Sequence, residues 1–219
     1  MAKNYFITGT DTGVGKTWAT LALMHYFKQQ GYSVAGMKPV AAGCKWDNQQ
    51  LKNEDALLLQ ENASIPLEYK EVNPYALEIP VAPHLAIKGN IIDLDVIKDA
   101  YQHLAKKMEI VIVEGAGGWS VPLNKEQDMA DLVKVLGIPV IVVVAIKLGC
   151  INHARLTFQQ IESDGVQCAG WFATCLDSDM LLIEENITSI ENRVSIPLLG
   201  VFPYARKFDV NALASKIII

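Results

Sequence analysis

Nine residues near the amino end, Gly9-Thr10-Asp11-Thr12-Gly13-Val14-Gly15-Lys16-Thr17, have the composition of a polyanion site. They follow the apolar run Tyr5-Phe6-Ile7 and precede a helical-looking segment, the setting a phosphate-binding loop requires. The glycines let the backbone N–H groups of Thr12, Gly13, Val14 and Gly15 turn toward phosphate oxygens, and a helix starting near Lys16 adds its positive dipole end. Lys16 supplies a mobile cation and Thr17 a hydroxyl for magnesium. The spacing departs by one residue from the usual loop, because Thr10 stands at the first glycine position and the leading glycine is Gly9.

Further charges stand where strands are expected to end. Lys38 closes an apolar stretch and precedes Pro39-Val40, which sets it beside the phosphate loop if the two strands share a sheet. The run Ile110-Val111-Ile112-Val113 ends in Glu114, followed by Gly115, Ala116 and Gly117. Four apolar residues and then an acid resemble the magnesium-side strand of phosphate-loop proteins, with Glu114 where Asp often stands. Asp55, by itself, reads equally as a helix-capping acid.

The elements that must position these groups follow from the apolar pattern. Segments 4–8, 33–38, 110–114, 140–146, 169–174 and 198–202 are rich in Val and Ile without alternation, as in strands covered on both faces. Between them, 17–30, 93–107, 129–136, 152–163 and 179–192 are long enough for crossover helices, several opened by Asp, Asn or Thr. The order predicts an α/β fold, a single doubly wound, mostly parallel sheet over residues 1–219. Residues 42–83 are less regular, with the X-Pro steps Asn73-Pro74, Ile79-Pro80 and Ala82-Pro83, and read as functional loops with a short helix near 55–60.

Composition narrows the partners. A chain of 219 residues can bury a large core as one domain, and a net charge of −5 without a basic cluster argues against a nucleic-acid surface. The four cysteines Cys44, Cys150, Cys168 and Cys175 have no metal or C-x-x-C spacing and read as free thiols in a reducing compartment. The most apolar run, 140–146, is too short to span a bilayer, and no leader pattern precedes the first strand. A soluble, cytoplasmic protein acting on small molecules is expected.

These pieces together resemble the dethiobiotin synthase family. The matching blocks are the loop through Thr17, Lys38-Pro39-Val40-Ala41, Asn53-Glu54-Asp55-Ala56, Val72-Asn73-Pro74-Tyr75, Pro83-His84, the segment from Val113 to Trp119, and Lys147-Leu148-Gly149-Cys150-Ile151-Asn152-His153. The resemblance implies a reaction in which 7,8-diaminononanoate takes up CO2 as a carbamate, ATP phosphorylates it, and the second amine closes a ureido ring. On that reading Lys16 and Lys38 are catalytic and Thr17, Asp55 and Glu114 hold Mg2+. The nucleotide contacts Thr12 to Thr17, Asp55, Glu114 to Gly117, Thr174, Cys175, Pro203, Tyr204 and Ala205. The substrate meets Ala42 and the turn Gly149, Cys150, Ile151 and Asn152, which receives its carboxylate. A homodimer is implied as well.

Two departures carry consequences. Ala42 stands where many members present a hydroxyl to the substrate. Thr174-Cys175 stands where many carry Asn-Asp, whose amide reads the adenine edge; neither residue reproduces that two-point contact. Weak discrimination between bases is the expectation. A partner-regulated ATPase switch is the competing reading, but such proteins place a signature lysine where this chain has Asp11 and often carry basic or amphipathic surfaces. A small-molecule kinase would not account for the block from Lys147 to His153.

Overall fold

A computed structural model describes residues 4–87, 89 and 91–219; residues 1–3, Lys88 and Asn90 of the expected unit lie outside the described residues. In chain order the first half comprises β1 (Tyr5–Gly9), α1 (Lys16–Gln29), β2 (Val34–Met37), β3 (Val40–Ala41), β4 (Lys45–Asp47), β5 (Gln50–Lys52), α2 (Glu54–Glu61), α3 (Tyr69–Val72), β6 (Tyr75–Ala76) and α4 (Pro83–Ala86). There follow α5 (Leu94–Lys107), β7 (Ile110–Glu114), α6 (Met129–Leu136), β8 (Val140–Ala145), α7 (Cys150–Ser163), β9 (Cys168–Thr174), α8 (Ile183–Glu191), β10 (Leu198–Phe202) and α9 (Val210–Ala214).

Six strands form a parallel sheet in the order β10-β9-β8-β1-β7-β2. Every residue of β7 and β8 is buried, which explains their unbroken Val and Ile runs: both faces are covered by helices and neither can be polar. Beyond β8, Phe172 and Phe202 stack across β9 and β10 with ring centroids 4.9 Å apart. Each such buried side chain contributes roughly 1.5–3 kcal/mol through apolar burial. The sheet grows in opposite directions from β1, whose two neighbours are β7 and β8. The carboxyl end of β1 therefore opens into the crevice where ligands of such folds collect.

The structure moves several expected boundaries. Lys38 lies just past β2, because its N–H donates to Val72 O and leaves the sheet ladder. Helix α7 begins two residues before the expected 152 and α1 one before 17; both start from left-handed glycines, Gly149 at φ 92° and Gly15 at φ 90°, with no side-chain cap. A Cβ is disfavoured at such angles, so glycine is the residue that permits these abrupt entries. Helix α8 begins at Ile183, four residues after 179, because Asp177 accepts from Asp179 N and Leu182 sits at φ 54°. Residues 42–83 are more regular than expected. The hairpin β4–β5, the strand β6 that pairs with β3, and the helices α2, α3 and α4 lie wholly or partly within the segment, and the hairpin turn places Asn48 and Gln49 at positive φ as a two-residue type I′ turn requires.

Candidate active site

The loop after β1 wraps the start of α1, and Lys16 Nζ donates to Asp11 O at 2.8 Å. One turn of α1 presents Thr17, whose hydroxyl donates to Glu114 Oε1 at 2.9 Å across the gap between α1 and the end of β7. Lys38 Nζ enters the same gap, donating to Asp55 Oδ2 at 2.9 Å and forming a close ion pair with Glu114 Oε1. Asp55 arrives on the first turn of α2, which Asn53 caps by accepting from Ala56 N at 3.2 Å. Groups from three elements and the connection after β2 thus converge on one point.

Burial sets the charges of this cluster. Lys16 is pulled down to about 8, first by desolvation and then by repulsion from Lys38, against the attraction of Glu114, Asp11 and Asp55. Lys38 is equally buried, yet the carboxylates of Glu114 and Asp55 outweigh desolvation and hold it above the ordinary lysine value. Burial raises Asp55, but Lys38 and then the Thr17 hydroxyl more than offset it and the net direction is down. Both lysines stand ready to offset developing negative charge.

A cavity of about 790 Å3 opens over the cluster. It is lined by Thr12, Gly13, Gly15, Lys16, Thr17, Lys38, Ala42, Asp55, Glu114, Ala116 and Gly117, all singled out from the sequence. Trp18, Ala41, Asn53, Leu58, Val121, Leu176 and the loop Pro80, Val81, Ala82 and Pro83 complete the lining. Asn53 was singled out only within the block Asn53-Glu54-Asp55-Ala56; its place ahead of two acids is the signal of a helix cap. Trp18 and Leu176 carried no such signal, since an apolar residue on a helix or after a strand reads as core.

Other expected contacts lie elsewhere. Val14 is buried, and its carbonyl accepts from Thr174 Oγ1 at 2.7 Å, so the Thr174 hydroxyl braces the loop from beneath. Gly115 is demanded by packing, because a Cβ there would meet Phe6 Cε1 at 2.9 Å. Cys175 is buried, which pushes its thiol up, and its N–H donates to Phe202 O. Pro203 and Tyr204 are exposed and Ala205 half-buried, outside the cavity lining. Gly149, Cys150, Ile151 and Asn152 do not line it either. Just before that turn, Lys147 Nζ lies 3.6 Å from Asp11 Oδ2 of the phosphate loop.

The donor set fits magnesium. Glu114 Oε2 is fully buried with no hydrogen-bond partner, a costly arrangement for a carboxylate oxygen unless a cation or ordered water meets it. Among the described residues no group of three or more His, Cys, Asp and Glu forms a closed metal cage. Two acids and a hydroxyl suit a hard cation that keeps waters and completes its shell with phosphate oxygens.

Comparison with known proteins is decisive at this point. The ATP-dependent dethiobiotin synthetase BioD of Nitrosospira multiformis is 48% identical over 217 residues, covering 98% of this chain and 94% of that protein. The chain belongs to the dethiobiotin synthetase family. The enzyme of the same name from Xanthomonas euvesicatoria is 46% identical over 212 residues, covering 96% of the chain and 95% of the relative. A family model described as an AAA domain matches residues 3–211. Among solved structures, cobyrinic acid a,c-diamide synthase from Mycobacterium smegmatis, with bound ADP and magnesium, superposes with a TM-score of 0.60 at 15% identity, covering 98% and 92% of the two chains. MinD from Aquifex aeolicus superposes at 0.57 and 17% identity, covering 97% and 86%. These two likenesses show that the chain shares their fold, a parallel sheet flanked by helices.

Proposed function

We propose that residues 1–219 act as one domain catalysing the ATP-dependent carboxylation and ring closure of 7,8-diaminononanoate with CO2, giving dethiobiotin, ADP and phosphate. The observation that carries this reading is the convergence of Lys16, Thr17, Lys38, Asp55 and Glu114 in one cavity beside the phosphate loop. One amine of the substrate attacks CO2, loses a proton and becomes a carbamate. A carbamate oxygen then attacks the γ-phosphorus of ATP and ADP departs. The second amine attacks the carbonyl of the resulting carbamoyl phosphate, the C–O bond to phosphate breaks, inorganic phosphate leaves with the proton that the amine gives up, and the ureido ring closes.

Each step gathers negative charge that this chain's residues are placed to offset. Loop amides of Thr12, Gly13 and Gly15 would hold the β- and γ-phosphates, with Lys16 following the transferred group. Lys38, fixed between Asp55 and Glu114, would meet the carbamate or the phosphoryl oxygens. Magnesium, held by Thr17, Asp55 and Glu114, would neutralise phosphate charge. Ala42 would line the diamine side without donating a side-chain hydrogen bond.

The turn Gly149, Cys150, Ile151 and Asn152 lies outside the cavity of its own chain. In a homodimer it would face the other copy's site and take the substrate carboxylate on the uncapped first turn of α7. Pro203, Tyr204 and Ala205 would flank the nucleotide base. A cytoplasmic setting goes with the biosynthetic role; no helix among the described residues is long and apolar enough to cross a membrane. Incubation with diaminononanoate, bicarbonate, magnesium and ATP should yield dethiobiotin by mass spectrometry; absence of product with every nucleoside triphosphate would overturn the reading.

A further inference from the structure

A chain of buried and half-buried hydrogen bonds joins the two arms of the cluster behind the cavity lining. Asn73 is 2% exposed and sits between α3 and β6. Its side-chain nitrogen donates to Lys38 O at 2.6 Å, while Lys38 N donates to Val72 O at 2.8 Å. The peptide groups on both sides of Lys38 are therefore pinned to the same two residues. From the other end of the Asn73 amide, Oδ1 accepts from Tyr69 OH at 2.9 Å. The Tyr69 hydroxyl in turn accepts from Asn53 N at 2.8 Å, the backbone of the residue that caps α2 and so fixes where Asp55 begins its turn.

We propose that Tyr69 and Asn73 are positioning residues that hold Lys38 and Asp55 in mutual register, so that the cation and its carboxylate partner approach the reacting groups as one rigid unit. Three features favour this over a generic core contact. The Tyr69 oxygen is used as both donor and acceptor, and the Asn73 amide uses both its oxygen and its nitrogen, so the chain has a direction at every link. It ends at both extremities on backbone of site residues or their immediate neighbours, where a shift moves the functional side chain itself. Both side chains are also buried, so little solvent competes for these bonds, and a low local dielectric strengthens them. Neither residue touches substrate; each acts through Lys38 and Asp55. The inference rests on the catalytic reading of those two residues.

The test is Tyr69→Phe, which deletes one oxygen from this chain and keeps the ring's packing. Tyr101→Phe serves as the matched control, because Tyr101 is a comparably buried tyrosine whose hydroxyl accepts from Asn4 far from the cavity. Tyr69→Phe should lower kcat by about tenfold, short of the roughly 100-fold that a full 1 Å misplacement costs. The magnesium concentration for half-maximal rate should rise at least threefold, since Asp55 loses its anchor, with the KM for ATP changing less than kcat. In Tyr69→Phe/Asp55→Asn the magnesium effects should not add, as expected for residues acting through one link. Tyr101→Phe should change only the thermal midpoint. If Tyr69→Phe merely loses thermal stability, with kcat and magnesium response intact while Lys38→Ala is inactive, the positioning role is overturned and the catalytic reading stands. If Lys38→Ala also turns over normally, that reading falls and the positioning role with it.

Discussion

Burial, followed by repulsion from Lys38, pulls Lys16 down to about 8, so the ligand-free site loses a charge at moderately alkaline pH. A bound triphosphate favours the ammonium form and raises its value again. The expected outcome is that kcat/KM for ATP falls above about pH 8, whereas kcat at saturation falls only at higher pH; kcat/KM reports the free enzyme and kcat the complex. Coincident profiles would mean that Lys16 does not meet the phosphates. The same shift has a stability sign. Unfolded lysine binds its proton up to the ordinary value of 10.5, while folded Lys16 releases it near 8, so this group makes the ligand-free protein more stable as pH rises between those limits. Lys38 differs, since its carboxylate neighbours keep it charged throughout that window. Lys38→Ala should cost at least the roughly 100-fold in turnover typical of losing a preorganised donor. It also strands Glu114, fully buried, without its cation, so lowered stability should accompany the lost rate. At this scale the sequence was informative for Lys16, Thr17, Lys38 and Glu114, because each stands at a strand or helix end. It was not informative for Trp18 or Leu176, whose apolar side chains carry no mark of a cavity wall.

Among the elements, β7 and α2 reach the cluster by different routes. Strand β7 delivers Glu114 at the tip of a strand covered on both faces, a position an unbroken apolar run announces. Helix α2 delivers Asp55 on a capped first turn, and its approach depends on α3 and on the β4–β5 hairpin, neither of which the sequence pattern resolved. Elements of two to four residues are too short for periodicity to register, so residues 42–83 read as loops apart from the short helix near 55–60. Converting Glu114 or Asp55 to its amide removes one charge from the hard-cation site with little change in volume. Each variant should need more magnesium for half-maximal rate, Glu114→Gln the more severely, because its Oε2 is the buried oxygen without a partner. Unchanged magnesium titrations for both would make the acids structural. At the end of β9, Thr174 spends its hydroxyl on Val14 O and Val144 O, and Cys175 is buried. Neither offers a paired donor and acceptor to a base edge, so a wrong base leaves little unsatisfied. GTP, CTP or UTP should support product formation within about tenfold of ATP in kcat/KM, roughly 1.4 kcal/mol in transition-state binding. A thousandfold lead for ATP would show that other groups read adenine.

For the molecule as a whole, the parallel sheet was legible from the alternation of apolar runs and helical segments, since only strands buried on both faces tolerate such composition, whereas the switch at β1 emerges from the strand order of the structure. The Gly149 to Asn152 turn stays outside the cavity it was expected to serve. A stable homodimer of the 24.1 kDa chain, near 48 kDa by sedimentation, is the expected state, with both sites inactive in a monomeric form. An active monomer would remove the turn from the substrate site. Isotope transfer distinguishes a cavity that couples ATP cleavage to capture of CO2 by a diamine from one that cleaves ATP alone. With 13C-bicarbonate, diaminononanoate, magnesium and ATP, the account predicts dethiobiotin carrying one labelled carbon in the ureido group, formed in equal amount to ADP and dependent on the diamine. ADP released at the same rate without the diamine, and no labelled product, would contradict it.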